Sequence, residues 1–173
     1  MSKLGEGFVP PLKLHPHNLP FSCKWILSVL NKAISRTASS LNSYEFSDAA
    51  STVYSWWQYQ FCDVFIEAIK PYFAGDNPAF ASERSAAQHV LWVCLETGLR
   101  LLHPFMPFVT EELWQRLPQP KGCTTKESIM LCEYPSAVEV SSSFSNWKRL
   151  FEMGLIVGFL PSNLQLLATW HSL

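Results

Sequence analysis

Two prolines set three residues apart, Pro104 and Pro107, fall between two helical patterns in the chain. Proline lacks an amide hydrogen and clashes with the preceding turn, so a helix arriving through Leu102 must end near Pro104. Pro107, in contrast, suits the first turn of a new helix. The stretch "LLHPFMPFVTEELWQRLP" therefore predicts a sharp corner between two packed helices.

The same stretch carries a histidine and two carboxylates, which also invites an acid–base interpretation. Each of these groups has a structural role in the predicted corner. His103 lies in a last helical turn, where its ring can bond unpaired carbonyl oxygens, and Glu111 and Glu112 lie in or near the next first turn. Glu112 can also pair with Arg116 four residues on. We therefore predict a scaffold here, and no catalytic residue.

Helical periodicity in two further segments, together with the two helices of the corner, predicts an all-α bundle of four helices. The first helix begins after a cap at Ser22 and buries one arc of side chains, namely Ile26, Leu30, Ala33, Ile34, Thr37 and Leu41. A second helix, capped by Ser47, is apolar nearly all round and ends before Pro71. A third opens at Pro78 and pairs Glu96 with Arg100. The segment "SIMLCEYP" is predicted to be extended and to lie against the bundle.

Changes in composition divide the chain into three parts. Residues 1–20 form a proline-rich extended lead-in, residues 21–137 the helical bundle, and residues 138–173 a divergent, irregular tail. We expect proteases to cut first between Val138 and Trp147, since exposed linkers are preferred sites. The longest clean apolar run of the tail, Leu155 to Leu160, is far shorter than the ~20 residues that cross a bilayer.

Charge and cysteine content exclude several classes of protein. The net charge of −1 gives no general attraction to nucleic acid or membrane. The five cysteines are widely spaced and form no C-x-x-C pair, which predicts a reduced, cytoplasmic protein without a structural metal site. Glycine-rich phosphate-binding motifs are absent from the sequence.

One helical face nevertheless suits a nucleic acid. No acidic residue occurs between Glu6 and Glu45, and the first helix gathers cations, an aromatic ring, amides and hydroxyls within one arc. The candidate RNA-binding residues are Lys24, Trp25, Ser28, Asn31, Lys32, Ser35 and Arg36. An unpaired strand needs charge along its phosphates, a ring on which a base stacks, and donors for base edges. The alternative is that the cations are ordinary solvated charges and Trp25 packs against the lead-in.

Long motifs of the chain also resemble a known family. The stretches "PFSCKWILSVLNKAI", "EFSDAASTVYSWWQYQFCDVFIEAIKPYFAGDNP" and "HPFMPFVTEELWQRLP" are similar to the anticodon-binding bundle of valyl-tRNA synthetases, class I aminoacyl-tRNA synthetases, of the eukaryotic cytosolic type. The resemblance runs from about Met1 to Ala137. It implies an α-helical module that grips the anticodon stem–loop of valine tRNA, with Lys24 and Trp25 where the family presents a basic and an aromatic residue to the anticodon loop.

Several parts of that family are not found in these residues. The H-I-G-H-like and K-M-S-K-S-like motifs that serve ATP and magnesium chemistry are absent, as are the editing domain, the preceding helix with its anticodon-facing arginine, and the C-terminal coiled-coil arm. The resemblance therefore implies a tRNA-binding chain that is inactive as a ligase on its own and holds no cofactor. An alternative is a non-catalytic protein-interaction module, or a non-functional remnant, whose partner is a full-length synthetase. We expect no DNA or membrane partner.

Overall fold

The computed structural model describes residues 4–5, 7–10, 19–75, 78–120 and 126–136. By its internal contacts the chain divides after Glu139, and all the described residues belong to the first unit, Met1–Glu139. The predicted tail, 138–173, lies outside the described residues, as does much of the lead-in.

Five α-helices carry the described fold: α1 (Phe21–Asn42), α2 (Phe46–Ser55), α3 (Ile66–Ile69), α4 (Ala81–Leu102) and α5 (Pro107–Gln115). A π-helical segment, Trp56–Phe65, joins α2 to α3, and short 3-10 turns form at Lys70–Phe73, Pro78–Phe80 and Ile129–Leu131. Helix α1 packs against α2, the π-helical segment and α4, while α4 also packs against α5. Within the described ranges there is no β-strand, and the all-α prediction is confirmed.

Helix α1 buries the face that its periodicity predicts. Ile26, Leu30, Ala33, Ile34 and Thr37 are all buried, and Leu41 is half-buried. The predicted cap is wrong by two residues, because α1 begins at Phe21 with Pro20 in the cap position, and the backbone amide of Lys24 donates to the Pro20 carbonyl oxygen at 3.1 Å. Proline can precede a helix without loss because its missing amide hydrogen would have had no partner there.

The second predicted helix is continuous but is not α-helical throughout. It begins at Phe46, with Glu45 rather than Ser47 in the cap position, and changes register at Trp56. A π-helix brings residues five apart close together, whereas in an α-helix they point in different directions. The rings of Trp56 and Phe61 consequently stack at 5.5 Å, and both are buried in the core.

The proline corner is confirmed. Helix α4 ends at Leu102, and Pro107 occupies the first turn of α5. Glu111 and Glu112 lie in the second turn of α5 rather than in its first, so the helix dipole is not their main partner. The predicted pairs of Glu112 with Arg116 and of Glu96 with Arg100 both form.

The segment predicted as extended contains a 3-10 turn. Ser128 caps this turn, since its hydroxyl oxygen accepts from the Met130 amide at 3.2 Å, and the backbone is extended at Ser128 and at Cys132. Ile129 is buried in a cluster with Leu99, Trp114 and Leu117. The segment thus packs against α4 and α5, as expected.

Part of the proline-rich lead-in lies against α4. Leu4 is buried, and its carbonyl oxygen accepts from the Gln88 side chain at 3.2 Å. The ring of Phe8 lies 5.7 Å from that of His89. These contacts place the described start of the chain against the middle of α4.

Candidate nucleic-acid interface

The residues with acid–base character at the proline corner hold the scaffold together. The Thr110 hydroxyl donates to the Met106 carbonyl oxygen at 2.8 Å, and its oxygen lies 2.7 Å from Nδ1 of His103. Nδ1 of His103 and the Thr110 hydroxyl thus share a hydrogen bond whose donor is set by the histidine tautomer. His103 therefore ties the end of α4 to α5, through a side chain instead of the backbone carbonyls that the sequence suggested.

Glu111 has a comparable role on the next turn. Its carboxylate accepts from the Ser128 hydroxyl at 2.8 Å and from the Ile129 amide at 3.1 Å. It also accepts from the Gln115 side chain at 2.7 Å, and these bonds, led by the one from Gln115, lower the pKa of Glu111. A carboxylate held by donors stays ionised, which suits an anchor for the segment 126–136.

The structure distributes the predicted RNA-binding residues along α1 with different exposure. Lys32, Ser35 and Arg36 are exposed. The remaining four, Lys24, Trp25, Ser28 and Asn31, are half-buried. The solvent-facing part of the predicted surface is therefore the C-terminal half of α1. Trp25 lies near the N-terminal end of the helix.

Sequence reasoning missed an acidic residue that joins this surface. Asp48 of α2 lies against Arg36, with Nη2 of Arg36 2.6 Å from Oδ1 and Nε 3.3 Å from Oδ2. The Ser40 hydroxyl donates to the same carboxylate at 2.6 Å. Hydrogen bonds from Arg36 and then from Ser40 lower the pKa of Asp48. Asp48 thus offsets part of the charge of Arg36, although the sequence of α1 itself is free of acids.

The turn between α1 and α2 is a second feature without a signal in the sequence. Tyr44 adopts a left-handed backbone with φ of 60°, a region in which glycine is the usual residue. The Glu45 amide donates to the Ser40 carbonyl oxygen at 2.8 Å, and the Tyr44 amide donates to that of Leu41 at 3.1 Å. These two bonds close the end of α1 as a Schellman motif.

The π-helical register also places an aromatic pair on the surface. Tyr54 and Tyr59 are both exposed, and their rings meet edge to face at 6.0 Å and 88°. They are five residues apart, which is the spacing that a π-helix aligns.

Within the described ranges, no group of three or more histidine, cysteine, aspartate or glutamate side chains could hold a metal ion. No helix of these ranges has both the length and the apolar character to cross a bilayer.

The described residues form an all-α bundle whose first helix exposes Lys32, Ser35 and Arg36 to solvent. Comparison with known proteins gives the family directly. Residues 23–157 match the family described as the anticodon-binding domain of tRNA ligase, and the chain belongs to this family. The match continues past Ala137, where we expected the resemblance to fade, through residue 157.

The similar curated proteins carry the name of one particular ligase. The chain is 69% identical over 157 residues to the mitochondrial valine–tRNA ligase 1 of Arabidopsis thaliana, covering 91% of the chain and 14% of that protein. It is 46% identical to the valine–tRNA ligase of Caenorhabditis elegans, over 64% of the chain and 10% of that protein. It is 45% identical to the valine–tRNA ligase of Geobacter sulfurreducens, over 77% of the chain and 14% of that protein. The chain thus spans about a seventh or less of the length of these relatives.

Proposed function

We propose that the chain binds the anticodon stem–loop of valine tRNA through the surface of α1. The observation that carries this proposal is the match of residues 23–157 to the anticodon-binding family, together with the exposed Lys32 and Arg36 on α1. The names of the similar proteins support valine tRNA as the substrate.

Each side chain of the α1 surface makes a different kind of contact with the RNA. Lys24 and Lys32 neutralise phosphates, and Trp25 supplies a ring for an unpaired base. Ser28 and Asn31 offer hydroxyl and amide groups to base edges or sugars. The Ser35 hydroxyl donates to the Asn31 carbonyl oxygen at 3.0 Å, so its oxygen serves as an acceptor for RNA.

Filter binding with the purified chain tests this function. Valine tRNA should be retained more tightly than a tRNA with a different anticodon at the same salt concentration, and an anticodon stem–loop alone should compete with it. Equal retention of the two tRNAs would contradict specificity for valine tRNA. Retention of neither tRNA would contradict RNA binding.

The ligase chemistry is proposed to lie outside these residues. The resemblance assigns ATP and magnesium to catalytic motifs that the 173 residues do not contain. We expect no valine-dependent exchange of pyrophosphate into ATP by the purified chain, once any co-purified synthetase is removed. Exchange above a matched blank would overturn this expectation.

A second candidate function is protein interaction through α5. Phe108 is 89% exposed, and Val109 and Leu113 lie exposed on the same helix. Apolar side chains clustered in this way are typical of contact surfaces. A full-length valine–tRNA ligase is the expected partner, and replacement of Phe108 and Leu113 by serine should abolish co-purification with it while leaving tRNA retention unchanged.

The compartment is a separate proposal. The sequence motifs favour a cytosolic type of ligase and a cytoplasmic location, although one similar protein is named as mitochondrial. Fractionation of cells that express the untagged chain, with antibody detection in cytosol and mitochondria, tests the cytoplasmic assignment.

A further inference from the structure

The corner between α1 and α2 exposes two aromatic rings beside a charged pair. Tyr44 is 80% exposed and Phe46 is 58% exposed, and their rings meet edge to face at 6.3 Å. An open depression next to them is lined by Tyr44, Glu45, Phe46, Ser47, Asp48 and Ser51. Because Asp48 is bonded to Arg36, this depression adjoins the proposed RNA-binding surface of α1.

Tyr44 is disfavoured at this position by its left-handed backbone, unless a contact of its ring with a ligand offsets that strain. A side chain in the left-handed region is disfavoured relative to glycine, and the ring of Tyr44 gains little from burial, since most of it faces solvent. Packing therefore does not account for the tyrosine. An exposed ring at a fixed backbone position is the arrangement on which an unpaired base stacks.

The charged groups of the corner favour a base over a phosphate. The carboxylates of Glu45 and Asp48 line the depression and would repel a phosphate. Asp48 engages the Nε and Nη2 atoms of Arg36, which holds the guanidinium in one orientation and leaves the donors of Nη1 for a ligand. The corner thus offers a ring, carboxylate acceptors and guanidinium donors.

We propose that the α1–α2 corner is a second base-binding subsite, which takes an unpaired nucleobase carrying an exocyclic amino group. The amino group donates to Glu45 or Asp48, while a ring nitrogen or carbonyl oxygen of the base accepts from Arg36. Cytosine presents both kinds of group, whereas uracil lacks the amino donor. The inference rests on the proposed function, since the strand that reaches the corner is the one bound along α1.

Substitution of Tyr44 separates binding from folding. Tyr44→Gly removes the ring and suits the left-handed backbone, so the melting temperature should not fall. Its affinity for single-stranded oligocytidylate should drop roughly 5- to 150-fold, the loss expected for one stacked base. Tyr44→Phe should retain most of the affinity, and Tyr54→Ala, which removes a ring that is 57% exposed, serves as the control that binds as the wild type does.

Oligomers of equal length distinguish the base from the backbone. The wild-type chain should bind oligocytidylate more tightly than oligouridylate, and an abasic oligomer most weakly. Asp48→Asn frees Arg36 for phosphates, so it should raise the slope of log affinity against log salt by about 0.7 and reduce the preference for cytidine. This combination of readouts would not arise from a purely structural role of Asp48.

The outcomes separate this inference from the proposed function. If the wild-type chain binds valine tRNA, and Tyr44→Gly binds every probe as tightly as the wild type does, the corner is not a subsite. RNA binding would still stand in that case. Equal affinity of the wild-type chain for oligocytidylate and oligouridylate would also overturn the subsite. If the wild-type chain binds no RNA at all, both proposals fail.

Discussion

A Cβ atom placed on Gly98 of α4 would lie 2.6 Å from Cζ3 of Trp57 and 2.8 Å from Cζ3 of Trp56. Both distances are shorter than van der Waals contact, and Trp56 is buried, so its ring has no room to withdraw. The absence of a side chain at Gly98 is therefore what allows α4 to approach the start of the π-helical segment.

Gly98→Ala should destabilise the fold. Alanine in a helix interior is normally better than glycine by about 1 kcal/mol, but overpacking a core costs about 1–3 kcal/mol, and we expect the second effect to prevail. Thermal melting should show a lower midpoint for this variant. Ser85→Ala, at an exposed position of the same helix, is the matched control and should leave the midpoint unchanged or slightly raised.

Glu111 should hold the segment 126–136 against α5. Glu111→Ala removes the acceptor for the Ser128 hydroxyl and the Ile129 amide, so the half-buried Cys132 should react faster with a thiol reagent. Glu112→Ala on the same helix breaks only an exposed pair with Arg116 and should leave the rate unchanged. Equal rates in the two variants would contradict the anchor.

The same anchor has a predictable response to acid. Donors from Gln115 and Ser128 lower the pKa of Glu111 below its ordinary value of 4.5, so ionisation favours the folded state. The stabilisation is present above the unfolded-state pKa and is lost as pH falls through the folded-state value. Urea titrations of the wild type should show a midpoint that falls as pH drops below 4.5, whereas Glu111→Ala should show a smaller fall.

Thiol reactivity should follow burial. Burial raises the pKa of Cys23 from 9.0 to about 12, and the pKa of Cys94 is raised as well. Because the thiolate is the reactive species, Cys62 should be alkylated in the folded protein before either of these buried thiols. Peptide mass spectrometry after a short exposure to iodoacetamide measures the order, and early labelling of Cys23 would contradict it.

The raised thiol pKa also predicts a loss of stability in alkali. Unfolded cysteine loses its proton near pH 9, whereas folded Cys23 keeps it until about pH 12. Stability linked to Cys23 is therefore complete below pH 9 and falls as pH rises towards 12. Urea titrations at pH 8 and pH 10.5 should show a lower midpoint at the higher pH.

Local geometry explains which features could be predicted from the sequence. The corner at Pro104 and Pro107 was predicted because proline restricts the backbone of its immediate neighbours. The buried face of α1 was predicted because helical spacing alone aligns Ile26 with Leu30 and Ala33. Both depend on residues within a few positions of one another.

The features that escaped prediction depend on contacts between elements. The π-helical register involves the stacked rings of Trp56 and Phe61 and the close approach of Gly98. The pairing of Arg36 with Asp48 joins two helices that the turn at Tyr44 connects. Tyr44 itself carries no signal, because no glycine marks the left-handed position.

Salt dependence should reveal which α1 cations contact phosphates. Each contact to single-stranded RNA contributes about 0.7 to the slope of log affinity against log salt. Lys32→Ala should lower the slope for valine tRNA by that amount, whereas Arg36→Ala should lower it by less, because Asp48 already neutralises part of its charge. Lys70→Ala, at an exposed lysine outside α1 that pairs with Glu67, should leave the slope unchanged.

Trp25 should affect binding in a different way. If an unpaired base stacks on its half-buried ring, Trp25→Ala loses about 1–3 kcal/mol of binding free energy with little change in the salt slope, and Trp25→Phe recovers most of the loss. If the ring only packs against neighbouring side chains, Trp25→Ala instead lowers the melting temperature and leaves the affinity of the folded fraction unchanged. Melting and tRNA affinity measured on the same preparations decide between the two roles. Unchanged affinity in the Trp25, Lys32 and Arg36 variants, with the fold intact, would exclude α1 as the binding surface.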